Sequence, residues 1–194
     1  MNRPTVTDVL VFVLLVTLGV VARVAFQHVP NFAPVAALAL FAGYFFGHRG
    51  LALGVPLAVM FISDRLVDAG GYALPLMLTV YALLSLPVFF RSFVRRFFNL
   101  QNSSAPRVVG SVLGLLGCSL ACSLIFFFGT NFAVWATSSW YEPTWAGLMS
   151  CFASAIPFFR YTLAGDAIFA VSLFGSYAVI ASLASRTNEQ PQSV

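Results

Sequence analysis

Charged side chains lie inside or at the ends of long apolar runs in this sequence, and their types and positions could do chemistry. A charge at the centre of a bilayer costs about 2.5 to 3.5 kcal/mol on insertion scales, so such a residue needs a partner or a ligand. These positions therefore predict a polar site within an otherwise apolar protein. The charged residues concerned are Arg23, Asp64, Arg65, Arg160 and Asp166.

We expect these charges and nearby polar and aromatic side chains to converge on one cavity that opens on the outer side of a membrane. Aromatic walls with a few convergent polar groups are typical of pockets for small organic molecules. In the expected mechanism, Arg23 and Arg160 pair with anionic groups of the solute and the carboxylates accept its hydrogen-bond donors. The predicted substrate-binding residues are Arg23, His28, Asn31, Asp64, Arg65, Asp68, Tyr72, Asn131, Trp135, Tyr141, Arg160 and Asp166.

The same residues also have structural interpretations that the sequence leaves open. Asp64 and Arg65 suit an internal ion pair, and the two asparagines suit a helix cap or a turn. The tryptophan and the tyrosines suit an aromatic belt at the level of the lipid headgroups.

Known catalytic signatures are missing from the sequence. It contains no His-Glu-x-x-His metal helix, no Gly-x-Ser-x-Gly nucleophile elbow and no Walker A loop. His28 and His48 fall on opposite membrane sides in the topology predicted below, so they cannot share a metal ion. We therefore expect neither an enzyme nor a protein with a metal or cofactor.

The composition indicates an all-α integral membrane protein. Of its 194 residues, 60% are hydrophobic and only 8% are charged, and the mean hydropathy is +0.91. A helical crossing takes roughly 20 residues, so this length allows about six crossings in one compact bundle. We predict a single transmembrane domain over residues 1–185 and a polar C-terminal tail over residues 186–194.

The apolar runs give the expected order of helices. A separate stretch, residues 144–157, is bounded by Pro143 and Pro157 and is too short to cross, so we predict a short interfacial or re-entrant helix there. A seventh crossing at that place is the alternative. The six predicted spans are residues 7–26, 34–47, 51–64, 73–90, 108–128 and 166–184.

The distribution of arginine predicts the orientation. The loop over residues 91–107 carries several arginines and should stay cytoplasmic, which places both termini inside. All basic residues other than histidine are arginines at the ends of apolar runs, so they indicate membrane topology and not a nucleic-acid partner.

Two stripes of small residues predict helix faces that approach another helix closely. One stripe could instead bind a partner membrane protein, since two stripes are more than a minimal bundle needs. The stripes are Ala36, Ala39, Gly43 and Gly47 in the second span and Gly110, Gly114, Gly117 and Ala121 in the fifth.

Four segments carry a resemblance to a known kind of protein: residues 30–34, 55–64, 123–135 and 141–175, with Thr130-Asn131-Phe132 and Ile156-Pro157-Phe158-Phe159-Arg160 among them. They resemble an uncharacterised bacterial family of transport proteins related to the substrate-binding S components of energy-coupling factor (ECF) vitamin transporters. S components are six-helix bundles that capture a vitamin from outside with their loops and outer helix ends. The resemblance covers most of the chain.

The resemblance implies a multi-pass protein of the bacterial cytoplasmic membrane that takes up a small organic micronutrient such as a vitamin, with cobalamin as one candidate. Its expected partners are the solute, membrane lipid and either an energising membrane module or further copies of the chain. S components dock their module through small residues four apart in the first helix. Here Gly19, Ala22 and Ala25 are three apart and Arg23 interrupts them, which favours work without a standard ECF module.

Two other functions stay open from the sequence. The first is a non-catalytic membrane subunit whose small-residue stripes bind another membrane complex. The second is a membrane enzyme that acts on a lipid-linked substrate through Asp64, Asp68 or Asp166 together with an arginine.

Overall fold

A computed structural model describes residues 4–67, 73–97 and 105–188, and within these ranges the chain forms α-helices and no β-strand. A 3₁₀ helix, Leu86–Phe90, joins the fourth and fifth α-helices. The α-helices are α1 (Val6–Ala25), α2 (Val35–Phe45), α3 (Arg49–Leu66), α4 (Leu74–Ser85), α5 (Arg91–Phe97), α6 (Ala105–Thr137) and α7 (Trp145–Asn188).

The outer surface of the bundle is apolar. Leu14 of α1, Leu113 of α6 and Ile180 of α7 are each more than 60% exposed. Four segments are long and apolar enough to cross a membrane, which indicates a membrane protein: Val6–Ala25, Leu74–Arg96, Gly110–Thr137 and Trp145–Ala184.

The short helix α2 forms the centre of the fold. Leu38, Ala39 and Ala42 are fully buried, and α2 packs against every other helix. Small side chains make this approach possible, because a Cβ atom added at Gly43 would lie 2.5 Å from the carbonyl oxygen of Val88. Close helix packing, the predicted role of the small-residue stripe in the second span, is therefore observed at Gly43.

The turn between α2 and α3 is fixed by arginines of α5. Arg95 donates hydrogen bonds from Nε and NH2 to the carbonyl oxygen of Tyr44, at 2.9 and 2.7 Å, and Arg91 donates to that of Gly47 at 3.4 Å. The last carbonyl groups of a helix have no partner within it, so these guanidinium groups take the place of a C-cap.

Helices α6 and α7 differ from the prediction. Helix α6 ends at Thr137, nine residues after the predicted end of the fifth span, residue 128. Helix α7 has 44 residues and continues through Pro157, whereas we predicted a separate short helix over residues 144–157 and a last span over residues 166–184. A helix of that length measures about 66 Å, more than a single crossing of a roughly 30 Å hydrocarbon core needs.

The continuity of α7 has a physical reason. Pro157 removes one backbone hydrogen bond, but in apolar surroundings the neighbouring backbone groups find no better partners than those of the helix. The helix begins where Thr144 accepts a hydrogen bond from the backbone N–H of Gly147 at 3.1 Å, an ordinary N-cap. The prediction of a helix boundary at Pro157 is therefore wrong.

We expect Gly43→Ala and Gly117→Ala to change stability in opposite directions. A methyl group at position 43 must displace the backbone at Val88, and overpacking of this kind costs about 1 to 3 kcal/mol. A Cβ at position 117 meets nothing within 4 Å, so alanine there gains helix propensity of roughly 1 kcal/mol. Thermal unfolding of the detergent-solubilised variants measures the change in stability for each substitution. Equal changes at positions 43 and 117 would contradict the packing described for α2.

Candidate functional site

A cavity of about 550 Å³ lies at the end of the bundle where α2 begins and α3 ends. Pockets for small molecules typically measure roughly 300 to 1,000 Å³. One face of each neighbouring helix lines it, as the spacing of Ala155, Phe158, Thr162 and Asp166 on α7 illustrates. The cavity is therefore built from helices and from the turn that joins α1 to α2.

An ion pair crosses one side of the cavity. Arg23 of α1 lies 2.8 Å from the Oδ1 atom of Asp64 on α3, and these side chains are 17% and 24% exposed. The hydroxyl of Tyr81 on α4 donates to the Oδ2 atom of Asp64 at 2.7 Å. Three helices are thus joined through one carboxylate.

Ser63 completes this polar network. Its hydroxyl donates to the carbonyl oxygen of Val59 at 2.6 Å and accepts a hydrogen bond from Arg23 at 2.7 Å. The sulfur of Met60 lies 2.8 Å from the same NH1 atom of Arg23. The charges of Arg23 and Asp64 therefore compensate each other inside the protein.

Asp166 lies on the opposite wall and is only 4% exposed. Its Oδ2 atom lies 2.6 Å from the hydroxyl of Ser123, which also lies 3.0 Å from the carbonyl oxygen of Ser119. A serine hydroxyl has one proton, so it can serve only one of these acceptors at a time. Within the described ranges, no basic side chain comes within 4 Å of Asp166.

The polar groups of α6 that line the cavity turn their donors toward their own helix. Asn131 donates from Nδ2 to the carbonyl oxygen of Phe127, and Thr130 donates to that of Phe126, both at 2.7 Å. For a ligand, Thr130 keeps its hydroxyl oxygen as an acceptor, and Asn131 keeps its amide oxygen and the second N–H of Nδ2. Asn131 lies within α6 and is not the helix cap or turn residue that the structural interpretation suggested.

The turn between α1 and α2 closes another side of the cavity. Asn31 has a positive φ of 58°, a left-handed conformation that asparagine adopts more readily than most residues. Next to it, the ring of Phe32 packs against Phe26 and Phe169, with centroid distances of 5.1 and 5.5 Å. Aromatic packing therefore holds this turn over the cavity.

The structure brings five of the predicted binding residues to this cavity. They lie on α1, α3, α6, α7 and the turn before α2, and their participation in binding stays a prediction. These residues are Arg23, Asn31, Asp64, Asn131 and Asp166.

Five other predicted residues lie outside the lining of this cavity, so the expected convergence of the whole set is wrong for them. Arg65 donates to the carbonyl oxygen of Phe61 and stacks on its ring, and Asp64 pairs with Arg23 instead of with its neighbour Arg65. The five residues are His28, Arg65, Trp135, Tyr141 and Arg160.

Local contacts explain two of these positions. Trp135 donates from its indole nitrogen to the carbonyl oxygen of Glu142 at 2.9 Å, which fixes the loop after α6. Arg160 donates to the hydroxyl of Tyr161 at 2.8 Å, with its guanidinium over that ring. Asp68 and Tyr72 lie outside the described residues.

Sequence reasoning missed Ser63, Tyr81 and Ser123, the hydroxyl groups that contact the charges of the cavity. Their signal in the sequence is a single hydroxyl within an apolar run. That signal is weak, because serine in such runs more often packs between helices. In the described part of the chain, no group of three or more His, Cys, Asp or Glu residues could hold a metal ion.

The chain belongs to a protein family of unknown function, DUF6580, which matches residues 4–189. None of the curated proteins and none of the solved structures matches it.

We expect Arg23→Met and Asp64→Asn each to lower the melting temperature. In the double variant, the loss of stability should be smaller than the sum of the two single losses. Removing one partner leaves the other charge without compensation in a poorly solvated place. The interaction free energy between two contacting residues is typically about 0.5 to 3 kcal/mol. A double-mutant cycle measures this free energy for Arg23 and Asp64 from the thermal unfolding of the three variants and the natural protein.

Arg65→Met is the matched control, because the adjacent Arg65 makes no ion pair with a described residue. If the stability losses of the two single variants add up to that of the double variant, the ion pair contributes nothing to stability.

Proposed function

We propose that this protein binds a small organic micronutrient, such as a vitamin, as the substrate-binding component of a membrane uptake system. The observation that carries the proposal is the cavity of about 550 Å³, with aromatic rings and a few polar groups in its walls, at one end of an apolar helical bundle. The solute displaces water from the rings, while the acceptor groups of Asn131 and Asp166 fix its orientation.

The likeness to S components of ECF vitamin transporters agrees with this arrangement. Such proteins capture their vitamin at the outer end of a helical bundle, and we propose the same for this chain in the bacterial cytoplasmic membrane. Gly19 and Ala22 of α1 are buried, and a Cβ atom at Gly19 would lie 2.6 Å from Val59. These small residues pack inside the bundle, which supports uptake without a standard ECF module.

We further propose six crossings with both termini in the cytoplasm. The turn between α2 and α3 contacts Arg91 and Arg95, whereas the first residue of α2, Val35, and Asp64 near the end of α3 line the cavity. Each of these two helices therefore connects the cavity end of the bundle with the arginine-rich end. Arginine favours the cytoplasmic side of a membrane, so the cavity end is the outer end.

Labelling of introduced cysteines tests this topology. We expect Ser139→Cys, in the loop between α6 and α7, to react with a membrane-impermeant maleimide in intact bacterial cells, and Gly47→Cys to react only after permeabilisation. The natural chain is the control for background, since its cysteines are buried. Labelling of Gly47→Cys in intact cells would contradict the six-span topology.

A second candidate function is a membrane subunit that binds another complex. A groove of about 540 Å³ lies between the stripe of α6 and two rings of α5 and the preceding 3₁₀ helix, Phe93 and Phe90. Gly110 and Gly117 have open space where a Cβ would lie, so this stripe is not used for close packing inside the bundle. That observation favours the alternative that the sequence left open for one stripe.

We expect one or more compounds in a panel of vitamins and vitamin precursors to raise the melting temperature of the detergent-purified protein. A ligand at 100 times its dissociation constant adds about 2.7 kcal/mol, or about 5 to 10 °C for a chain of this size. Asn131→Ala should reduce the shift, since Asn131 lines the cavity.

Arg160→Ala is the control variant and should keep the full shift, because Arg160 lies outside the cavity lining. A panel without any shift, together with a stoichiometric partner that co-purifies and is lost on Gly117→Leu, would favour the subunit function.

A further inference from the structure

We infer that the solute is an organic cation and that Asp166 binds its positive group. This inference rests on the proposed function, and it names the chemical class of the substrate. The observation behind it is the charge balance of the cavity together with the nature of its walls.

Among the described residues, three ionisable acidic or basic side chains line the cavity: Arg23, Asp64 and Asp166. Arg23 and Asp64 form an ion pair at 2.8 Å, so an anionic solute would have to compete with Asp64 for the guanidinium. Arg160, the second arginine expected to bind an anion, lies outside the lining. Among the described lining residues, Asp166 is therefore the one carboxyl or guanidinium group without an oppositely charged partner, and its ionised form is negative.

The surroundings of Asp166 provide too little stabilisation for a buried carboxylate. Its hydrogen bond in the described part of the chain comes from the hydroxyl of Ser123 at 2.6 Å, and two nearby groups carry no positive charge: Cys122 on α6, and Thr162 on α7, which lines the same cavity. The ionised form of a buried carboxyl is unfavourable without a partner, and a cation in the cavity stabilises that form. A cationic ligand would thus supply a partner that the described residues do not provide.

The walls around this carboxylate suit a cation as well. Phe126, Phe127 and Phe158 contribute aromatic rings to the same cavity as Asp166, and the face of an aromatic ring attracts a cation electrostatically. The amide oxygen of Asn131 can accept a hydrogen bond from a protonated amine, because the contact of this side chain with Phe127 uses only one N–H of Nδ2. Aromatic rings, an acceptor and a carboxylate together recognise a protonated amine or a quaternary nitrogen.

A charge series of ligands tests the inference on the full-length protein in detergent. The probes are thiamine, riboflavin and pantothenate as a cationic, a neutral and an anionic vitamin, and benzylamine, benzyl alcohol and benzoate as small aromatic molecules that differ in charge. We expect the cations alone to raise the melting temperature. Isothermal titration with the best probe then gives its dissociation constant.

Asp166→Asn should weaken cation binding about tenfold or more, which corresponds to about 1.4 kcal/mol. The same variant should melt at a higher temperature than the natural protein when no ligand is present, because it removes a buried carboxyl whose ionised form has no cationic partner among the described residues. Asp8→Asn is the matched control, since Asp8 is half-buried at the start of α1, lies outside the cavity lining and should leave binding unchanged.

The outcomes separate this inference from the proposed function. Stabilisation by pantothenate or riboflavin but by no cation would leave the proposed function standing and overturn the organic cation. Unchanged cation affinity in Asp166→Asn would assign that carboxyl a structural or proton-binding role and overturn its part as anchor. Silence of all six probes would overturn the organic cation, whereas the proposed function would fail only if the whole panel of vitamins and precursors gave no shift. If Asp166→Asn fails to fold, the charge series on the natural protein decides.

Discussion

The ion pair between Arg23 and Asp64 is the interaction on which the cavity depends. An apolar bundle can hold a guanidinium only if its charge is compensated, and here α3 supplies the carboxylate while α4 supplies the hydroxyl of Tyr81. The pair therefore fixes the relative positions of three helices at one end of the bundle. It also leaves the remaining carboxylate of the cavity, Asp166, without a cation in the described part of the chain.

The opposite end of the bundle shows the same constraint on backbone groups. Helix α2 is short, and the last carbonyl groups of a helix have no hydrogen-bond partner within it. Arg95 binds those of Tyr44 and Phe46, which ties α5 to the centre of the fold. Arginine at this end thus has a structural role in addition to the topological role expected from its distribution.

The sequence predicted helices better than their ends. Long apolar runs identified most helices, because burial and helix formation both follow from such runs. The predicted ends of α6 and α7 were wrong. For α7 the reason is that a proline such as Pro157 stops a helix in water, but not where the backbone groups have no alternative hydrogen-bond partners. The charged residues of the cavity were predictable from their cost in an apolar run, but their pairing was not. Asp64 binds Arg23, 41 positions away, and not its neighbour Arg65, because helix packing decides which side chains meet.

The polar groups of the cavity differ in what they can still do. Arg23 and Asp64 hold each other, and the amide nitrogen of Asn131 is bound to its own helix. These contacts make the helices rigid and reduce the number of groups that can respond to a ligand. Among the described residues, only Ser123 contacts the carboxyl of Asp166 by a hydrogen bond. An acidic side chain buried in an apolar bundle is costly, and that cost is the physical basis of the binding role proposed for Asp166.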